Sequence, residues 1–464
     1  MLAKDHIRRF FLKCCPLVRP GVLLTTLCSV AISIFAGTLL PNPLNSTDPT
    51  GTLSTYSTAG GVDQLNPFFQ NLGTNGRTCG TCHVSSDAWT VTPPDIQARF
   101  NSSNGLDPIF RPVDGSNCPS DDVATFQARQ SAYSLLLNKG LIRISLAVPG
   151  TAQFTITGIQ DPYACPQTTM TQPAFYRRPL PATNLDFLSA VMWDGRETVK
   201  DPNTTYIDLK PSLTKQAIDA TMGHAQAVNP PTSEQLVQIV SFETALYTAQ
   251  RQDESAGNLT AFGATGAPLN LSTQPFHIGI NDSLGGDPNP FNPNVFTLYN
   301  NWANLESQPN RQAVARGQAL FNTLQFEIAG VGGLPDIKAG TCTTCHDSPN
   351  VGNHSFPVPL SIGTTAYPAL PALDVSGLPV YSAQCSDGSV VQVTDIGRAM
   401  ISGQCADIGK VKGPILRGLA GRAPYFHNGA AATLDDVVEF YNERFNLNLA
   451  PQQKSDLVAF LQTL

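Results

Sequence analysis

Cys79-Gly80-Thr81-Cys82-His83 and Cys342-Thr343-Thr344-Cys345-His346 are the two stretches on which the reading of this chain turns. Two thiols three positions apart can reach both vinyl groups of one porphyrin, and the histidine that follows then falls beneath the iron. Each stretch therefore predicts one covalently attached c-type haem. Cys79 and Cys82 would hold the first, with His83 as iron ligand; Cys342 and Cys345 would hold the second, with His346. A zinc site would need further Cys or His ligands close by, and neither copy has a second pair.

Export is the next inference, because this cofactor is attached outside the cytoplasm. Lys4, Arg8, Arg9, Lys13 and Arg19 precede an apolar run from Gly21 to Leu40. A basic segment followed by such a run is an export signal, and its length leaves a cleaved signal and a retained membrane anchor both open. Arg8-Arg9 resembles a twin-arginine signal, but the haem chemistry favours the general secretory route. The expected location is the periplasm, soluble or tethered by residues 1–40. Of eleven cysteines, three lie in that segment and four in the haem motifs. The remaining Cys118, Cys165, Cys385 and Cys405 read as two disulfides, most simply Cys118–Cys165 and Cys385–Cys405. A net charge of −7 argues against a nucleic-acid partner and suits a small basic redox partner.

Along the chain, residues 41–60 are rich in Pro, Ser, Thr and Gly and read as a linker. An N-terminal haem domain is expected over 61–305, with a loop- and strand-containing insertion at about 84–175. A C-terminal cytochrome c domain is expected over 306–464. Leu141 to Leu146 alternates with period two and predicts a strand. Apolar residues at helical spacing predict helices over 233–250, 312–324 and 451–464, and Thr433 caps another over 434–444. The fold class that follows is mainly α: two cytochrome c-like haem domains, the first enlarged.

The chain resembles the bacterial di-haem cytochrome c peroxidases and their relatives that mature methylamine dehydrogenase. The resemblance rests on Leu416-Arg417, on Ala423-Pro424-Tyr425-Phe426-His427-Asn428-Gly429, on Ala432-Thr433-Leu434 and on Trp193-Asp194-Gly195-Arg196, with both haem motifs in order. It implies that hydrogen peroxide is reduced at the first haem. Electrons would arrive from a small cytochrome c or cupredoxin through the second haem and Trp193. It implies an open first haem, since no histidine follows that motif closely and Trp89 is the only bulky residue there. Gln216 matches the family's distal glutamine. The family's distal glutamate position falls on Gln226, so His224 is the expected acid–base group, the other readings being an iron ligand that closes the site or a satisfied buried histidine. Fourteen residues beyond His427, Tyr441 stands where the peroxidases carry a methionine ligand to the second haem, as in the maturation enzymes; His354 and Met400 are the fallback ligands. Arg178 and Arg422 stand where the family binds calcium between the haems, so no inter-haem calcium is expected. The alternatives are a di-haem enzyme that uses peroxide or oxygen to oxidise another substrate, and an electron carrier.

Overall fold

The structure, a computed structural model, describes residues 39–202 and 206–464. Nearly all of the expected signal or anchor lies outside the described residues. Among the described residues no helix is long and apolar enough to cross a membrane.

The expectation of a mainly α chain is not met. The protein is mixed α/β, with 29% helix and 17% strand. Most of the strands are short, and two of the pairings, Gly51–Ser57 with Leu246–Asp253 and Phe154–Gln160 with Val380–Cys385, join segments far apart in sequence, so a period-based reading passes them over. Residues 41–60, read as a linker, instead supply the hairpin Leu44–Asp48 and Gly51–Ser57. Its second strand pairs antiparallel with Leu246–Asp253, Thr55 lying opposite Thr248. That partner strand also corrects the helix expected over 233–250: the helix is Ser233–Thr244, and the chain then turns into the sheet. Thr232 caps the helix by accepting from Gln235 N. The hairpin positions the first motif, because buried Thr55 accepts from Trp89 Nε1 at 3.0 Å.

The expected insertion carries helices Pro93–Ser103, Phe126–Ala132 and Ser134–Lys139. The strand expected at 141–146 is Ile142–Ser145, paired with Ala174–Arg177. Phe154–Gln160 crosses to the C-terminal half and pairs with Val380–Cys385. Both locally paired disulfides, Cys118–Cys165 and Cys385–Cys405, are formed. Residues 39–464 pack as one unit.

In the C-terminal half, Pro309–Thr323 and Pro451–Gln462 cross so closely that a Cβ on Gly317 would lie 1.9 Å from Asp456 O. Only glycine fits there. Phe296 makes edge-to-face contacts with Phe321 and Phe460, whose own rings pack tilted against each other. Leu434–Arg444 runs over the expected residues, with Thr433 accepting from Asp436 N.

Candidate functional site

Both haem motifs adopt one local structure. Each opens with a threonine whose backbone N–H is bonded by a second threonine three residues on: Thr78 to Thr81 Oγ1 and Thr341 to Thr344 Oγ1, each 2.9 Å. A tight turn follows, and the first cysteine carbonyl accepts the histidine N–H at 3.1 Å in each copy. His83 Nδ1 then donates to Trp89 O at 3.0 Å, and His346 Nδ1 donates to Gly352 O at 2.7 Å. A carbonyl can only accept, so the proton sits on Nδ1 and leaves the Nε2 lone pair free. Burial lowers the pKa of both imidazoles, that of His346 to about 4. An imidazole held in this way could serve as a metal ligand through Nε2.

Each motif lines its own cavity. Cys79, Cys82, Cys342 and Cys345 are free thiols, whereas the other four described cysteines are cross-linked. A free thiol pair, an imidazole with Nε2 available and a largely apolar cavity fit a c-type haem at both places.

The cavities share a wall. Arg178, Pro179, Leu180, Pro181, Trp193 and Arg422 line both, as does Lys412. Trp193 is buried; its Nε1 donates to Arg178 O at 2.9 Å and its carbonyl accepts from Lys412 N at 2.8 Å. Its ring lies edge-on to His427, centroids 6.1 Å apart. The wall is anchored by Arg177, which is buried and holds Asp194 at 2.5 Å and Asp395 at 2.7 Å. Removing one partner would strand a buried charge, at a cost of about 3–5 kcal/mol.

In the first cavity the helix Leu209–Gly223 turns one face inward, so that Gln216, Ala220 and His224 line it at four-residue spacing. His224 is tied from three sides. Asn75 Nδ2 and Arg77 Nη1 donate to its carbonyl, and its Nδ1 donates to Asp114 Oδ2 at 2.5 Å. Arg77 closes the array on Asp114 Oδ1 at 2.5 Å. Burial pushes the Asp114 carboxyl up, but the His224 hydrogen bond and the Arg77 charge outweigh it and hold the pKa low. His224 Nε2 makes no hydrogen bond among the described residues. Gln226 is exposed, bonded by Asn75 Nδ2, and lines neither cavity. Trp89 is fully buried beside His83 and lines neither cavity.

Glu243 also lines the first cavity, and the sequence reading passed over it. It is buried, Oε2 has no hydrogen-bond partner, and burial lifts its carboxyl to about 8. A carboxylate on the buried face of an amphipathic helix, in register with Leu236, Ile239 and Val240, was the available signal. Asp114 lay in the expected insertion with no local pattern to mark it.

The second cavity is more apolar. Tyr441 lines it, stacked on Phe445 with centroids 6.2 Å apart. Its hydroxyl makes no hydrogen bond among the described residues, and burial raises its pKa. His354 lines this cavity too, buried, with Nδ1 3.4 Å from Asp347. Met400 lines neither cavity; it packs with Phe154, Tyr381 and Ile396 in a separate core. His427 is buried against the second cavity, neither ring nitrogen hydrogen-bonded, and burial lowers its pKa to about 4.

No protein-family model matches the chain. A cytochrome-c peroxidase IdrP2 of Denitromonas iodatirespirans is 36% identical over 140 residues, 27% of this chain and 36% of that protein. A cytochrome-c peroxidase IdrP2 of Pseudomonas sp. (strain SCT) is 26% identical over 305 residues, covering 62% of this chain and 68% of that protein. The chain thus spans about a third of the length of the first relative and two thirds of the second. Among solved structures, a MauG-like protein associated with microbial copper homeostasis aligns over 86% of each chain, with a TM-score of 0.38 and 14% identity. With two haem motifs of one local geometry on adjoining cavities, the chain is similar to the bacterial cytochrome c peroxidases.

Proposed function

We propose that this chain is an exported peroxidase that reduces hydrogen peroxide in the first cavity. Electrons would come from a small cytochrome c or cupredoxin by way of the second cavity. The observation that carries this reading is the His224–Asp114 pair, hydrogen-bonded at 2.5 Å on the first cavity, whereas His354 of the second cavity lies 3.4 Å from Asp347 with its Nδ1 unbonded. Cys79, Cys82 and His83, and likewise Cys342, Cys345 and His346, would hold haem, which would supply the redox chemistry for reducing the peroxide.

The protein's own part is proton handling and placement. Reduction of H2O2 to two waters consumes two electrons and two protons. His224, oriented through Nδ1 by Asp114, takes a proton from the incoming peroxide at Nε2 and returns it to the departing oxygen. Gln216, two helical turns away on the same face, offers an amide to hold the peroxide. Trp193, fixed through Nε1 on Arg178 O, puts an aromatic ring in the wall that electrons must cross. The two disulfides support a working compartment outside the cytoplasm, with the chain soluble or tethered by its N-terminal segment.

Optical and EPR spectra of the resting ferric protein test the reading. The expected result is one high-spin signal, lost on His83→Gly and kept on His346→Gly, with peroxide consumed at the expense of reduced cytochrome c. Only low-spin signals, unchanged by peroxide, would overturn it in favour of an electron carrier. Tyr441 favours a second reading, in which peroxide drives oxidation of another substrate. A phenolate ligand is hard and anionic and favours oxidised iron. Peroxide consumption without oxidation of cytochrome c, in the presence of an oxidisable protein, would select that reading.

A further inference from the structure

The wall between the cavities carries more positive charge than the protein around it balances. Arg178, Lys412 and Arg422 line both cavities, and none of them forms an ion pair among the described residues. Arg178 is 5% exposed and spends its guanidinium on the carbonyls of Lys139, Val91 and Arg422, at 2.9, 2.8 and 3.1 Å. Arg422 donates to Ile415 O. Lys412 is 6% exposed, its backbone is fixed to Trp193 O, and its ammonium makes no hydrogen bond among the described residues. The carboxylate acting on Arg178 is Asp87, whose Oδ2 is already engaged by Thr92 N and Oγ1. Burial pushes both Arg178 and Lys412 down, and the charge of Arg422 pushes each further.

Buried like charges without counterions are costly unless an anion completes the site. The anion must be reachable from both cavities, since the same three side chains face both. Each haem carries two propionate carboxylates, and guanidinium and ammonium groups are suited to bind them. We propose that Arg178, Lys412 and Arg422 form one carboxylate-binding bridge that takes propionates from both haems and sets both reduction potentials together. The bridge also stands in for an inter-haem metal. The superfamily resemblance implies calcium at the positions of Arg178 and Arg422, but these side chains offer only donors and do not fit a cation. Lys412, which the sequence reading did not single out, supplies the charge that Arg178 and Arg422 leave incomplete. This proposal rests on both cavities holding haem and not on which substrate is oxidised.

Spectroelectrochemical titration of the intact protein, with haem content measured in parallel, tests it. A cation near iron favours the ferrous state, so Lys412→Met should lower both midpoint potentials. The expected size is about tenfold in each reduction equilibrium, about 59 mV for a one-electron couple. Lys412→Arg should restore both, and neither calcium nor a chelator should move either potential of the unaltered protein. A shift at one haem only, no shift in a fully loaded variant, or a calcium-dependent potential would overturn the bridge. Should Lys412→Met fail to fold, Arg422→Gln carries the same expectation, and the calcium titration needs no variant. Fewer than two haems per unaltered chain would instead defeat the functional reading itself.

Discussion

The two cavities begin from the same local code and end with different linings. At each, a threonine-capped turn presents two free thiols and a histidine whose Nδ1 bonds a carbonyl six residues on. The linings then diverge. The first cavity gathers Arg77, Asp114, Gln216, His224 and Glu243, and the second gathers Val438, Phe445, Leu457 and Tyr441. On the reading proposed here the local motif would fix where a haem is attached, and residues brought from elsewhere what it can do. Asp114 reaches His224 across 110 positions of sequence.

The comparison would break most visibly at His224. His224→Gln should lower kcat for peroxide by about 10²–10⁴-fold. It should leave the spectrum of the haem at His346 untouched, so stopped-flow turnover and the optical spectrum separate the two sites. An equal change at both haems would mean that the cavities are not divided as described.

Glu243 sharpens the contrast through pH. Its carboxyl is raised from 4.5 to about 8 by burial, so the folded protein holds a proton that the unfolded chain has released. Its stabilising share is present below about pH 4.5 and is lost as pH rises through about 8. Glu243→Gln, permanently neutral, should flatten that slope. Melting temperatures at pH 5 and pH 9 should differ less in the variant than in the parent, by the equivalent of a few kcal/mol. An unchanged slope would show that the carboxyl finds a partner in the haem-loaded protein. Asp114 behaves with the opposite sign: its lowered pKa gives stability at neutral pH that is lost on acidification.

A smaller effect is expected at the second cavity. Tyr441→Met should raise the midpoint potential of the haem at His346, because a thioether favours ferrous iron relative to a phenolate. The potential at the first haem should stay in place. The smallest effect is expected from Gln226→Glu, which restores the carboxylate expected of the family at that position. Gln226 is exposed and outside the cavity, so turnover should stay within about twofold, as for surface changes generally. A large gain would mean that this loop closes over the first haem.

The sequence by itself determined what is local. The two haem motifs are made of residues adjacent along the chain, and the capped helix at 434–444 depends on Thr433 and Asp436 three positions apart. Charge and cysteine arithmetic likewise need no fold. Resemblance extended this reach to Gln216, His224, Trp193 and Tyr441, each of which lines a cavity. Tertiary structure decided the rest, because the interactions concerned pair residues far apart. The helix expected to run to 250 ends at Thr244, since Leu246–Asp253 is claimed by a hairpin almost two hundred residues earlier. The mixed α/β character has the same origin: β pairing is non-local, and a Thr-rich strand looks like a linker until its partner is known. The buried charges followed too. Asp114, Glu243 and Lys412 carry no signature that marks a cavity wall. Only packing shows which charges lose their water and must find a partner.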